Sequence, residues 1–164
     1  MYIEDVRILT SPVIIDRREM KAVKADIWDL HAQGMAVVVP TNMCVNGKGE
    51  AVMGAGLALQ AARRFPWLPK QYGEYLQLGI PRGIFEEVRL VMVPTKRHWK
   101  DPSTLELVEA GVRWLTSQEP LFAVRGWEVA VPPLGCGLGG LKLAQVQPIM
   151  EKWLSDRFVL VLRP

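Results

Sequence analysis

The sequence is poor in the residues that build metal centres and disulfide frameworks. Its 164 residues include two cysteines, Cys44 and Cys136, and two histidines, His31 and His98. None of the four stands in a CxxC or other ligand spacing, which argues against zinc, and two lone thiols fit a reduced cytoplasmic chain better than a secreted scaffold. No apolar run approaches the roughly 18 residues needed to cross a bilayer. Residues 1–7 mix charge into their apolar positions and lack the pattern of a signal peptide. An excess of one charge sign is also lacking. Twenty basic against 17 acidic residues leave a formal charge of +3, with no dense Lys/Arg block, which permits a polyanionic ligand without demanding one. Disorder is excluded, because 49% hydrophobic and 23% charged residues are the proportions of an ordinary globular chain. The length suits about one domain, large enough to need no staple.

What is present is a rhythm of short β-branched runs with helical stretches between them. Residues 6–9 and 13–15, split by Pro12, read as an edge or bulged strand. Residues 21–27 alternate as a half-buried strand does, and 36–39 form a wholly apolar run suited to a strand buried on both faces. Helices are expected over 57–65, ended by Pro66, and over 70–78, stopped at Gly79. A strand over 88–93 halts at Pro94. Ser103 is placed to N-cap a helix running to about Ser117, with Glu106 as its capping-box partner. A strand over 127–131, a helix over 143–154 and a last strand over 158–162 complete the pattern. Strands alternating with helices predict an α/β sandwich with a largely parallel sheet.

In such sheets ligands sit beyond the carboxyl ends of the strands. Three glycine-rich or polar segments follow strand ends here, 41–56, 95–99 and 135–140, and they should face one crevice. Glycines at strand ends let the backbone approach a ligand closely, and successive N–H groups can cradle a phosphate. Gly54, Ala55 and Gly56 open a helix, so an anion there would also meet the positive end of its dipole. One such loop is more often a tight turn; two on one sheet edge favour a pyrophosphate between them. Familiar nucleotide motifs fail. No GxxxxGK[ST] occurs, and the stretch from Gly54 reaches Leu59 where a dinucleotide fingerprint needs glycine or alanine.

These residues resemble a macrodomain. Lys24-Ala25-Asp26-Ile27, then Asn42, then Met53-Gly54-Ala55-Gly56-Leu57-Ala58, then Pro94-Thr95-Lys96-Arg97-His98-Trp99, then Leu134-Gly135-Cys136-Gly137-Leu138-Gly139-Gly140-Leu141 follow the family's order. The likeness is strongest to the branch of DarG antitoxins and terminal ADP-ribose glycohydrolases. It implies a three-layer α/β/α sandwich with a mixed, largely parallel sheet, one domain over 1–164, with about 1–18 an extension or an extra edge strand. It also implies an ADP-ribose crevice. Asp26, with Ile27 beside it, matches the acidic residue that accepts from the adenine amino group; otherwise it is an exposed strand-end carboxylate. Met53, Gly54, Ala55, Gly56 and Leu57 match the loop around the distal ribose and diphosphate. Gly135, Cys136, Gly137, Leu138, Gly139 and Gly140 match the second phosphate loop, and Thr95 the end of the strand before the active-site lysine. Asn42 matches an asparagine near the distal ribose hydroxyls, or caps its own loop.

Lys96 matches that lysine, and with Asn42 it is the catalytic candidate. It can act electrostatically on developing charge, or attack the anomeric carbon as an amine. Arg97, His98, Trp99 and Lys100 are candidate DNA contacts, with Trp99 either a base-stacking ring or a core residue. The sequence departs from the protein-directed branch at Gly139, where that branch carries an acidic residue that resolves a lysine adduct. Ala25 stands for a more usual glycine, and the loop from 42 to 54 is longer than in DarG-like sequences. A partner-binding C-terminal region is absent, which reads as a stand-alone or excised macrodomain. The expectation is an ADP-ribosyl glycohydrolase acting on a modified DNA base, without cofactor or metal. It is cytoplasmic and monomeric, with an ADP-ribosyltransferase toxin as partner, single-stranded DNA as a substrate and no membrane association. The alternatives are a non-catalytic ADP-ribose reader, or a hydrolase of protein-linked ADP-ribose or ADP-ribose-1''-phosphate.

Overall fold

The structure, a computed structural model, describes residues 19–164. The expected runs at 6–9 and 13–15, and the edge strand they suggested, lie outside the described residues. In chain order the elements are β1 (Lys21–Lys24), α1 (Ile27–Ala32), β2 (Ala36–Thr41), α2 (Gly56–Arg64), α3 (Leu68–Gln77), β3 (Gly83–Phe85), β4 (Leu90–Pro94), α4 (Leu105–Arg125), β5 (Val129–Val131), α5 (Leu143–Trp153) and β6 (Phe158–Leu162). Among the described residues six strands form one sheet in the order β1-β6-β5-β2-β4-β3. Every pairing is parallel except that of β3 with β4. The sheet is thus mixed and largely parallel, as expected.

Alternation along the strands decides the layers. In β2, Ala36 and Val38 face one way, with Val91 and Val93 of β4, into a core completed by Val108, Val112 and Leu115 of α4 and Val146 and Met150 of α5. Val37 and Val39, with Leu90 and Met92, face the other way onto Trp28 of α1, Ala58 and Ala61 of α2, and Leu68 and Tyr72 of α3. Both faces are covered, so β2 and β4 read as continuous apolar runs. The result is an α/β/α sandwich.

Four local expectations differ from what forms. The first strand ends at Lys24 and is exposed along its length; among the described residues β1 lies at the sheet edge and pairs only with β6. Ile27 instead opens α1, with Asp26 as its N-cap. The cap of α4 is Thr104, whose hydroxyl accepts the N–H of Leu107 at 3.2 Å, and the side chain of Ser103 turns elsewhere. That helix also continues past Ser117 and through Pro120 to Arg125. Its last turns are anchored by Phe122, fully buried against Phe158 with ring centroids 6.0 Å apart. Finally, the strand read at 88–93 begins at Leu90, behind a short turn and the antiparallel β3. Three residues are too few to show a period.

Tyr72 ties α3 to the end of β2. Its hydroxyl donates to the carbonyl of Pro81 at 2.7 Å, so the 2.8 Å contact with Thr41 is a bond that Thr41 donates. Burial pushes the phenol well above its ordinary value near 10, more than the Thr41 bond and the Arg82 charge lower it. Only the neutral form fits the folded state. Its contribution is therefore complete below about pH 10 and falls as pH rises past that value. Urea melts at pH 7 and pH 10.5 should show this loss. In Tyr72→Phe the alkaline loss should shrink, while stability at pH 7 falls by about 1–3 kcal/mol because a buried carbonyl loses its donor.

Candidate functional site

A cavity of about 1510 Å³ lies beyond the carboxyl ends of the parallel strands. Ala25, Asp26 and Ile27 line it after β1, Thr41 and Asn42 at the end of β2, and Thr95 and Lys96 after β4. Pro132 and Pro133 follow β5, and Leu162 and Arg163 close β6. Asp26 and Lys96 follow strands four places apart in the sheet. At about 4.8 Å per strand, the crevice spans on the order of 19 Å between them. It suits an elongated ligand.

Two glycine loops overhang it. In the first, Ala55 is extended and offers no side-chain cap to α2, and Gly56 sits at φ 57°. The first amide of this stretch with a backbone acceptor is that of Leu59, to Ala55 at 3.1 Å. Among the described residues the N–H groups of Gly56, Leu57 and Ala58 meet no acceptor and remain as donors at a helix start, where the dipole also favours an anion. In the second loop Gly135, Gly137 and Gly140 sit at φ 76°, 69° and 84°. Residues Gly137–Gly139 form one turn of 3-10 helix, and the N–H groups of Gly137 and Leu138 meet no acceptor among the described residues. Amides turned inward by such dihedrals form an anion-binding nest.

The second loop is clamped to the segment after β4. The amide of Ser103 donates to the carbonyl of Gly139 at 2.8 Å, and its hydroxyl lies 2.9 Å from that of Thr95, both buried. A Cβ at Gly139 would run into the Ser103 hydroxyl, and one at Gly135 would lie 2.7 Å from Leu141 Cδ1. Position 139 thus has no room for a side chain, acidic or otherwise, while Ser103 keeps its place.

Asp26 accepts the N–H of Trp28 at 2.9 Å through one carboxylate oxygen, while the other has no bond among the described residues. Asn42 is nearly buried and doubly held, donating to Val52 O at 3.0 Å and accepting from Cys44 N at 2.8 Å. It pins the start of the long loop, and its second amide N–H has no partner among the described residues. Lys96 is half-buried and lines the cavity, with no carboxylate paired to it among the described residues. The carbonyl of Arg97 accepts the amide of Met43 at 3.0 Å, which fixes the backbone just past Lys96. Cys136 lines the cavity, and burial raises its thiol above the ordinary value. That keeps it protonated at neutral pH and a poor nucleophile.

Not every expected residue is gathered here. Met53 does not line the cavity; it is 6% exposed, packed in the core below α2. Its neighbour Gly54 faces the cavity, so one step along the chain turned the side chain inward. Arg97 and His98 also lie outside the lining, whereas Trp99 and Lys100 are at its mouth. Trp99 is not a core residue, being 50% exposed. Conversely, Trp28, Gln60, Ser103 and Arg163 line the cavity and were not singled out as site residues. Trp28 Nε1 donates to Gln60 Oε1 at 2.7 Å across 32 residues of chain. No local pattern announces such a contact. Among the described residues, no group of three His, Cys, Asp or Glu side chains is placed to hold a metal, and no helix is long and apolar enough to cross a membrane.

A six-stranded α/β/α sandwich with two glycine loops over one crevice is the macrodomain class of architecture. Comparison with known proteins carries this further. The chain is similar to the macrodomain of Thermus aquaticus DarG at 30% identity and a TM-score of 0.66, over 88% of this chain and 98% of that one. It is similar to the Mycobacterium tuberculosis DarG macrodomain at 26% identity and a TM-score of 0.68, over 90% and 99%. Thermosipho africanus DarTG in complex with ADP-ribose matches at 26% identity and a TM-score of 0.71, over 88% of this chain and 43% of that one. The chain belongs to the macrodomain family, with its relatives among the DarG proteins. In sequence it is 33% identical over 134 residues to a DNA ADP-ribosyl glycohydrolase of Thermus aquaticus, which is 75% of this chain and 37% of that protein. A DNA ADP-ribosyl transferase–glycohydrolase fusion protein of Thermosipho africanus is 42% identical over 65 residues, 40% of this chain and 16% of that one. The matches thus span a small part, 16% to 37%, of these relatives' own lengths. No family model matches the sequence.

Proposed function

We propose that this chain is an ADP-ribosyl glycohydrolase that removes ADP-ribose from a modified nucleobase in DNA. The observation that carries the reading is Lys96, a cation without a paired carboxylate among the described residues, on a braced backbone in the cavity that also holds both glycine loops. The names of the relatives support the same substrate. The long crevice accommodates a ligand with a nucleoside end at Asp26, a diphosphate under the loops and a second ribose towards Lys96 and Asn42. In the reaction the bond between the anomeric carbon and the base breaks through an oxocarbenium-like state. The base leaves with the electron pair, water adds at the anomeric carbon, and the proton from water ends on the base. Two N–H rows hold the diphosphate and so fix the ribose, which turns an encounter into a positioned reaction. The Lys96 ammonium stabilises the negative charge that develops on the departing base.

The electrostatic role is preferred to a covalent one because the Lys96 charge has no carboxylate partner among the described residues, and Gly139 leaves no room for the acidic residue that the protein-directed branch carries there. This reading takes residues 1–164 as one macrodomain working as a cytoplasmic monomer. It requires a transferase partner that installs the mark, and single-stranded DNA as its carrier. The test is a gel assay of single-stranded DNA bearing one ADP-ribosylated base, run beside protein-linked ADP-ribose and ADP-ribose-1''-phosphate. Release of ADP-ribose from the DNA is the expected result. No release from DNA, with tight ADP-ribose binding by calorimetry, would replace the hydrolase with a reader or with an enzyme of another linkage.

A further inference from the structure

Trp99 is out of place for an apolar ring. Half of its surface is open to solvent, on a chain that buries Trp28 almost completely. The ring nonetheless has neighbours in its own loop. His98 stacks on it at 26° with centroids 5.7 Å apart, and the Lys100 ammonium lies 5.1 Å from its centroid. The Lys100 amide donates to His98 Nδ1 at 3.1 Å, and the Asp101 amide to the His98 carbonyl at 3.0 Å, closing a tight turn beneath the ring. The neck of this loop is braced by the Thr104 amide on Thr95 O at 3.1 Å and by the bond between the Thr95 and Ser103 hydroxyls. An exposed ring on a rigid stalk loses little freedom when something settles on it.

Charge sets the kind of occupant. Lys96, Arg97 and Lys100 stand within five residues, against the single carboxylate of Asp101. No acceptor among the described residues holds the Arg97 guanidinium, which is exposed. An aromatic ring with Arg97 beside it and the Lys100 ammonium over it fits an unstacked base that takes the place of that ammonium on the ring, leaving both cations to the phosphates on either side. A duplex does not fit, because its base faces are already stacked.

We infer that the Arg97–Lys100 turn is a docking site for the unmodified nucleotide next to the modified base, with that base on Trp99 and its flanking phosphates at Arg97 and Lys100. This rests on the hydrolase reading above. The site makes the enzyme prefer a single strand to an isolated nucleoside, and it makes Trp99 a specificity-determining residue.

The experiment compares three substrates carrying the same ADP-ribosylated base: a nucleoside, a 12-mer single strand, and that 12-mer annealed to its complement. The wild type should process the single strand with a kcat/KM on the order of tenfold above the nucleoside, the scale of one base stacked on an aromatic ring. Trp99→Ala should lose most of that advantage, with a several-fold smaller change on the nucleoside, and Trp99→Phe should keep most of it. In Lys100→Gln the salt dependence of kcat/KM on the 12-mer should become shallower by about 0.7 in the log–log slope, one phosphate's worth. Equal rates on nucleoside and single strand, or an advantage untouched in Trp99→Ala, would overturn the inference. If no DNA-linked substrate is turned over, the hydrolase reading fails separately. The docking site is then judged by fluorescence anisotropy of unmodified oligo(dT) in 50 mM salt. Weaker binding by Trp99→Ala than by the wild type upholds it, whereas equal affinity, or hydrolysis confined to protein-linked ADP-ribose, refutes it.

Discussion

Lys96→Ala should lower kcat for release of ADP-ribose from DNA by about 10²–10³-fold, the usual cost of removing one preorganised electrostatic group from a transition state. Affinity for free ADP-ribose should stay within a few-fold of the wild type. The asymmetry follows from where the lysine sits. The diphosphate is offered backbone donors from Gly56–Ala58 and Gly137–Leu138, which the substitution leaves in place. Lys96 is half-buried after β4, one strand beyond the β2 end that leads into the Gly54–Gly56 loop, where the reacting bond rather than the diphosphate develops new charge. A loss that falls on kcat and kcat/KM alike marks an interaction made in the transition state. Lys96→Arg keeps the charge but spreads it over a planar fork, so it should recover part of the rate. Calorimetry of ADP-ribose binding and single-turnover release from DNA measure the two halves. A rise in KM with unchanged kcat would place Lys96 in ground-state binding instead.

Gly139→Ala should weaken ADP-ribose binding by on the order of tenfold and lower stability by about 1–3 kcal/mol, the range for overpacking a filled site. The added Cβ meets both the Cβ and the hydroxyl of Ser103, and Ser103 cannot simply rotate away because its Cβ would lie 2.9 Å from the new atom. Relief therefore requires the loop to lift, which breaks the bond from the Ser103 amide to Gly139 O and moves the amides of Gly137 and Leu138 out of register. For a chain of this size the destabilisation should appear as a fall of a few degrees in Tm. Ser103→Gly removes the obstruction. The double variant should bind better than the effects of the two singles predict, a coupling read from a double-mutant cycle. Additive effects would show that loop and stalk are not joined at this point. Gly139→Asp should suffer the same collision, so adding the carboxylate alone would not install a lysine-adduct chemistry.

Much of this site was legible in the chain, and the reason is local. A short apolar run bounded by polar residues has few ways to be satisfied, and 36–39 became the centre of β2, buried on both faces. Glycines at 54, 56, 135, 137 and 140 stood where the backbone needed free dihedrals or close approach, and they formed both loops. Other features were legible only in part. Ser103 and Thr104 are both good capping residues, and which of them caps α4 depended on a bond to Thr95 eight residues away from Ser103. The helix expected to end near Ser117 runs on through Pro120, where burial of Phe122 outweighs one lost helical bond. Met53 and Gly54 are adjacent, and only packing against the core under α2 separated the inward side chain from the cavity-facing backbone.

The chain by itself determined the alternation of strands and helices, the two glycine loops and the lysine at a strand end, because periodicity, β-branching and glycine's dihedral freedom act over a few residues. Tertiary structure alone decided how those parts meet. Strand order set the distance between Asp26 and Lys96, and the Ser103 amide joined a loop at 139 to a stalk at 95–104. The exposure of Trp99 was set in the same way, by a turn whose neck is held from outside it. Each is a contact between residues distant in sequence, and such contacts form only when burial of a shared core brings their elements together.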